Sequence, residues 1–179
     1  MRPRADTLPI VAMMLLAGCF QSEPPPAAPR IAAIVPGQSL QRVVALADAA
    51  DEQSVPALAG ILLEDTDPAV RREAIYAIAD ISGEADAATI ARALQDADES
   101  VRMAAVDVLS TMSGETSAGL LAGALEDVNP RLRLRAVDAF GDIDGPIASQ
   151  ALQQALADPD PLIRETAAEL LEERAGASE

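Results

Sequence analysis

Apolar residues return at helical spacing along most of this chain, and the helical pattern itself returns every 31 positions. From Gln53 the sequence divides without insertion into four units, 53–83, 84–114, 115–145 and 146–176. Each opens with a stretch in which apolar residues recur three and four apart, as in Leu58, Ile61 and Leu62 or Leu120, Leu121 and Leu125. That spacing is the period of an amphipathic helix. A polar turn follows: DTDP, DADE, DVNP or DPDP. In three units a proline (Pro68, Pro130, Pro161) comes directly after Asp or Asn, the order of a helix N-cap and its first helical position. The second helix so predicted carries Val70, Ala74, Ile75, Ile78 and Ile81 on one stripe. It closes at Gly83, Gly114, Gly145 or Gly176, where a left-handed residue would stop it.

The register is fixed by columns that cross all four units. Asp65, Asp96, Asp127 and Asp158 form one; Asp67, Asp98, Asn129 and Asp160 form the next. Val70, Val101, Leu132 and Ile163 precede an unbroken arginine column, Arg71, Arg102, Arg133 and Arg164, and Ala74, Ala105, Ala136 and Ala167 lie three positions on. A fixed period of this size is the signature of a stacked-repeat architecture, because one helix pair cannot bury its apolar face alone. The pattern D-x-D-P-x-V-R-x-x-A resembles HEAT repeats, and the 31-residue form is similar to the short subtype first named from phycobilisome lyases. The resemblance implies an all-α fold, a HEAT-like α-α superhelix (solenoid) of about 4.5 repeats. It also implies that the turn aspartates and the arginines of these columns form a ladder between successive repeats.

The flanks read as caps and a leader. Gln38 to Asp51 is an amphipathic helix with Leu40, Val43, Val44, Leu46 and Ala47 on its stripe, so residues 38–52 look like half a repeat capping the stack, with Ser54 as the N-cap of the first full unit. At the other end the column Ile81, Met112, Ile143 becomes Arg174, and Glu172 to Glu179 reads as a polar cap, with 177–179 a tail. Arg2 and Arg4 precede the short apolar run Leu8 to Gly18, too short to span a bilayer but suited to a secretory leader. The run ends LLAGC, which resembles the bacterial lipobox and implies cleavage after residue 18 and lipidation of Cys19, the one cysteine. More than one acyl chain suffices for stable anchoring. Phe20 rather than Asp follows that cysteine, which by enteric sorting rules points to the outer membrane, with the periplasm as the domain's compartment. Within 19–37, five prolines (Pro24, Pro25, Pro26, Pro29, Pro36) favour an extended tether, reaching at most roughly 55 Å. The apolar segment Ile31 to Val35 is able to fold back onto the domain.

Composition narrows the chemistry. Net charge is −16, and all 13 basic residues are arginines; a nucleic acid needs a basic face, so none is expected as partner. The chain has no His and no Trp, which removes the usual general base and the commonest transition-metal ligand. Asp142, Asp144 and Gly145 echo the start of a calcium loop, but Pro146 and Ile147 break it, and helix capping accounts for the same residue types in every unit. No metal and no cofactor is expected beyond the lipid on Cys19.

In HEAT stacks the second helices line the concave side, where partners often bind. One solvent-side column there is Tyr76, Asp107, Asp138 and Glu169; the next is Asp80, Thr111, Asp142 and Glu173. A third, Arg72, Met103, Leu134 and Glu165, puts two apolar side chains mid-row. An acidic groove with an apolar strip suits a protein partner with a basic or extended segment; the same columns read equally well as a solvated helix face. Paired carboxylates also serve acid–base catalysis, but repetition alone generates such columns. The expectation is therefore a lipid-anchored envelope scaffold with no enzymatic activity. The alternatives are a lyase-like, chromophore-handling factor and an assembly or stability factor for an envelope complex.

Overall fold

The computed structural model describes residues 38–112 and 114–177, all within the compact unit 34–179. The leader, Cys19 and the tether lie outside the described residues. Among the described residues nine α-helices follow one another: α1 (Gln38–Ala49), α2 (Val55–Glu64), α3 (Pro68–Ser82), α4 (Ala87–Ala91), α5 (Glu99–Thr111), α6 (Glu115–Leu121), α7 (Pro130–Asp142), α8 (Pro146–Ala155) and α9 (Pro161–Ala177). From α2 onward they alternate between an even-numbered first helix and an odd-numbered second helix, and α1 stacks on α3 in the place of a second helix. The odd helices stack on one another in order, α1 on α3, α3 on α5, α5 on α7 and α7 on α9, as one continuous row, called the inner row below.

The turns are built alike. In each, the first aspartate accepts the backbone N–H two residues on, as Asp65 does from Asp67 and Asp96 from Asp98. The next polar residue then caps the second helix. Asp67, Asp98, Asn129 and Asp160 accept from the N–H groups of Ala69, Ser100, Arg131 and Leu162, each at 2.9 Å. Two of a helix's exposed N–H donors are thereby satisfied at every repeat boundary.

The core is one continuous cluster of small and branched apolar residues. Ala74, Ile75, Ala105, Val106, Ala136, Val137 and Phe140 are fully buried where second helices meet. The alanines let backbones approach, and the stack buries on both sides what one pair leaves open.

The structure corrects the sequence reading at several positions. The first helix of the first unit buries Val55, Leu58, Ile61 and Leu62, whereas the second unit buries Ala87, Ile90, Ala93 and Leu94. That set is shifted by one position in the 31-residue register, so Leu63 faces solvent although Leu94 and Leu125 in its column are buried. α2 stays α-helical to Glu64, while the second and third units wind their last residues (Arg92–Gln95, Ala122–Glu126) as 3-10 turns. The tighter winding absorbs the offset. Ser54 makes no capping bond; Asp51 caps a short 3-10 turn ahead of α2 by accepting from Gln53 N–H. On α1, Val43 is buried, but Leu40 and Val44 are 41% and 51% exposed, because only one side of this helix meets α3. Gly83, Gly114 and Gly145 do take positive φ (55°, 105° and 123°), yet with ψ of −127°, 171° and 170° they are extended rather than left-handed helical. That region is essentially closed to residues with a Cβ. Gly176 stays inside α9.

Arg174 is not a solvated cap. Its guanidinium turns inward, bonding the carbonyls of Phe140, Gly141 and Ile143 and the Ser149 hydroxyl. These carbonyls lie at the C-terminal end of α7, where partial negative charge favours a cation.

Candidate functional site

Two arrays of polar side chains run along the stack. The first is the ladder. Arg71 reaches forward to the next turn, donating from Nε to Asp96 Oδ2 at 2.8 Å and from Nη2 to Oδ1 at 2.7 Å. Its Nη1 donates to the Asp65 carbonyl at 2.8 Å. Arg102 binds Asp127 in the same way, and Arg133 binds Asp158. All six side chains are 7–13% exposed, and each pair is a two-bond fork, the stronger kind of charged contact. For Asp96 and Asp127, burial opposes the charged form, but the arginine and a backbone N–H outweigh it and hold the carboxyl below its ordinary range. At Asp158 the Arg133 bond is the largest influence, with the same result.

The ladder is incomplete at both ends. Asp65 is buried and its Oδ2 has no hydrogen-bond partner. The position 31 residues before Arg71 is Leu40, so α1 brings an apolar side chain where a guanidinium belongs. Arg164 keeps its Nη1 on the carbonyls of Asp158 and Pro159, at 2.7 and 3.0 Å, but no carboxylate among the described residues meets its fork. Leu40 was legible by counting back one period from Arg71, since the arginine column breaks there.

The second array is the inner row. Tyr76, Asp138 and Glu169 are exposed and Asp107 is half-buried; Asp80, Asp142 and Glu173 are exposed one turn on. The line is not uniformly acidic. Arg135 Nε donates to Asp107 Oδ1 at 2.7 Å, placing a cation between the second and third repeats. Sequence reading missed Arg135, although its column (Glu73, Ala104, Arg135, Thr166) is irregular enough to single it out. Asp138 has its carboxyl raised above the ordinary range, first by burial and further by Asp142, with Arg135 opposing. Met103 and Leu134 do not form an open strip. Both are partly buried and packed against the core, because the inner helices sit close enough to cover them.

Chemically, the row offers carboxylates at regular spacing with one interposed guanidinium, suited to cations presented along an extended segment. Among the described residues there is no group of three or more His, Cys, Asp or Glu placed to hold a metal ion, and no helix is long and apolar enough to cross a membrane.

The family profile described as HEAT repeats matches residues 40–110 and 87–172. No curated protein matches the sequence significantly. Among solved structures, the chain is similar to human deoxyhypusine hydroxylase in complex with glycerol, at 29% identity and a TM-score of 0.58. The match covers 69% of this chain and 45% of that one, so the chain spans less than half the length of that relative. This likeness corrects the expectation of a chain without enzymatic activity. Neither repetition nor the lack of His and Trp sets catalysis aside, because a similar stack belongs to a hydroxylase.

Proposed function

The chain belongs to the HEAT-repeat family, and on that premise we propose that it is a binding module of the bacterial envelope. In this reading it is held to a membrane by a lipid on Cys19 and takes a protein partner along its inner helix row. HEAT repeats are a repeat scaffold for protein–protein interaction. The 31-residue period is what supports reading these repeats as the short phycobilisome-lyase-like subtype. The anchor rests on the sequence LLAGC after an apolar run with two arginines before it. Outer-membrane placement facing the periplasm rests on Phe20 after the cysteine.

The observation that carries the binding role is the exposed acidic face of the inner row. Asp80, Asp138, Asp142, Glu169 and Glu173 all face solvent, and Arg135 pairs with Asp107. A partner with a basic extended segment fits this face by charge, and exposed charges at this spacing attract over a distance set by salt, about 8 Å at physiological ionic strength. Pull-down from envelope extract at low and high salt tests it, comparing wild type with the Asp138→Arg, Glu169→Arg double variant. The reading requires salt-sensitive capture that the double variant loses while its thermal melt does not fall; identical capture by both proteins rejects it. For the anchor, incorporation of a fatty-acid analogue is expected in wild type and absent in Cys19→Ser.

A second reading is favoured by the hydroxylase likeness: a modifying activity exercised on the bound partner. Mass spectrometry of the captured partner before and after incubation with the protein separates the two, since a pure scaffold leaves the partner's mass unchanged.

A further inference from the structure

The inner row carries one ion pair that the repeat does not explain. Arg135 on α7 reaches back to Asp107 on α5 through a single bond, Nε to Oδ1 at 2.7 Å. The ladder rungs are built differently. Each is a two-bond fork between side chains only 7–13% exposed, and the same fork recurs one period on. The Arg135 and Asp107 side chains are 45% and 40% exposed. One period either side of Arg135 stand Ala104 and Thr166, which carry no charge. Exposed single pairs of this kind add little to stability. What the pair shows is chemical: a carboxylate of the inner row seats a guanidinium that arrives from a neighbouring helix. Asp138 holds the same column one repeat on and is exposed, and by register Thr166 takes the place of Arg135 there. Glu169 is exposed in the repeat after that.

We infer that Arg135 is a built-in competitor for the row. It fills the Asp107 seat in the place of a partner's arginine, so a basic segment binds first at Asp138 and Glu169 and gains Asp107 only by displacing Arg135. The inference rests on the inner-row reading above and narrows its partner to a segment whose cations are guanidinium groups. Arginine suits such a seat better than lysine, being planar, more weakly hydrated and able to hold a carboxylate by more than one donor. Displacement swaps one exposed guanidinium for another on the same carboxylate and leaves no buried group unpaired. A ladder rung cannot be swapped in this way. Its aspartate is nearly buried and also accepts the N–H of its own turn.

The test uses the full chain and a labelled serine–alanine peptide with arginine at every third position, titrated by fluorescence anisotropy at low salt. Arg135→Ala should bind roughly fivefold tighter than wild type, the scale of one exposed charge pair, with an unchanged thermal melt. Adding Asp107→Asn should return the affinity to that of wild type. Arg131→Ala removes an equal charge from an exposed position in the first turn of α7 and should move the affinity far less. Binding that is lost in the Asp138→Arg, Glu169→Arg variant but indifferent to Arg135 would overturn this inference and leave the inner-row reading standing. So would a gain in Arg131→Ala equal to that in Arg135→Ala, or a gain that survives Asp107→Asn. No binding by wild type or any variant rejects the inner-row reading and the inference with it.

Discussion

Arg133 holds Asp158, 25 residues ahead, through two near-parallel bonds of 2.8 and 2.9 Å, and holds the Asp127 carbonyl, six residues behind, through a third of 2.9 Å. One guanidinium thus fixes its own turn and the next one relative to each other. The aspartate it binds also accepts the Asp160 N–H at 2.8 Å, so the rung and the turn geometry depend on the same carboxylate.

Removing an internal rung should therefore cost more than removing the open one. Arg102→Ala and Arg133→Ala each leave a nearly buried carboxylate unpaired, a loss of about 1–3 kcal/mol. Arg164→Ala gives up only exposed bonds to carbonyls and should stay within about 0.5 kcal/mol of wild type. Chemical denaturation of the domain measures all three; equal losses would show that the rungs contribute nothing beyond packing.

The ladder should also set the acid limit of the fold. Asp96, Asp127 and Asp158 have folded pKa values depressed below the ordinary carboxylate range. Their contribution is fully present above the unfolded carboxylate value of about 3.9 and is lost as pH falls through the lower folded values. Melts from neutral pH downward should drop steeply below that point in wild type. In Arg102→Ala the drop should be shallower, since the Asp127 carboxylate no longer has its arginine to lose.

Leu40→Arg should raise stability. The variant puts a guanidinium where the 31-residue column lacks one, the position whose register matches the unpartnered Asp65 Oδ2, and Leu40 is exposed enough to give up little burial. A completed rung is expected to add about 1 kcal/mol, and Asp65→Asn in the same background should cancel the gain. A gain that survives Asp65→Asn would place its origin elsewhere.

Asp138 shifts the other way. Its folded pKa is raised, so the native state binds that proton more tightly than the unfolded chain does, and ionisation at neutral pH disfavours the fold. Asp138→Asn should melt slightly higher than wild type at neutral pH, with the difference vanishing as pH is lowered through the carboxylate range. A difference independent of pH would assign the effect to something other than the proton.

Gly119→Ala offers a control on local propensity. Gly119 lies within α6, a Cβ there meets nothing within 4 Å, and its column in the preceding units holds Ala57 and Ala88. The substitution should stabilise by about 0.5–1 kcal/mol, the difference between Gly and Ala in a helix.

That two of the columns meet in a ladder was implied by the resemblance to HEAT repeats; the repeat, its period and the helix–turn–helix unit were determined by the sequence itself. These follow from local chemistry repeated in register: helical apolar spacing, Asp or Asn before Pro, and an arginine six residues after an aspartate. Tertiary structure decided what depends on the neighbour across a boundary. Leu40 and Val44 match the apolar stripe yet stay exposed, because among the described residues α1 is packed on its α2–α3 side only. Met103 and Leu134 look open in a helical projection but are half-covered, because the inner helices approach closely over alanines. Arg174 reads as a surface charge until the C-terminal carbonyls of α7 lie beneath it, and Asp107 reads as free until Arg135 of the next repeat reaches it. The last two are contacts between residues about one period apart; helical periodicity specifies which face a residue occupies, whereas the stacking of repeats decides what that face meets.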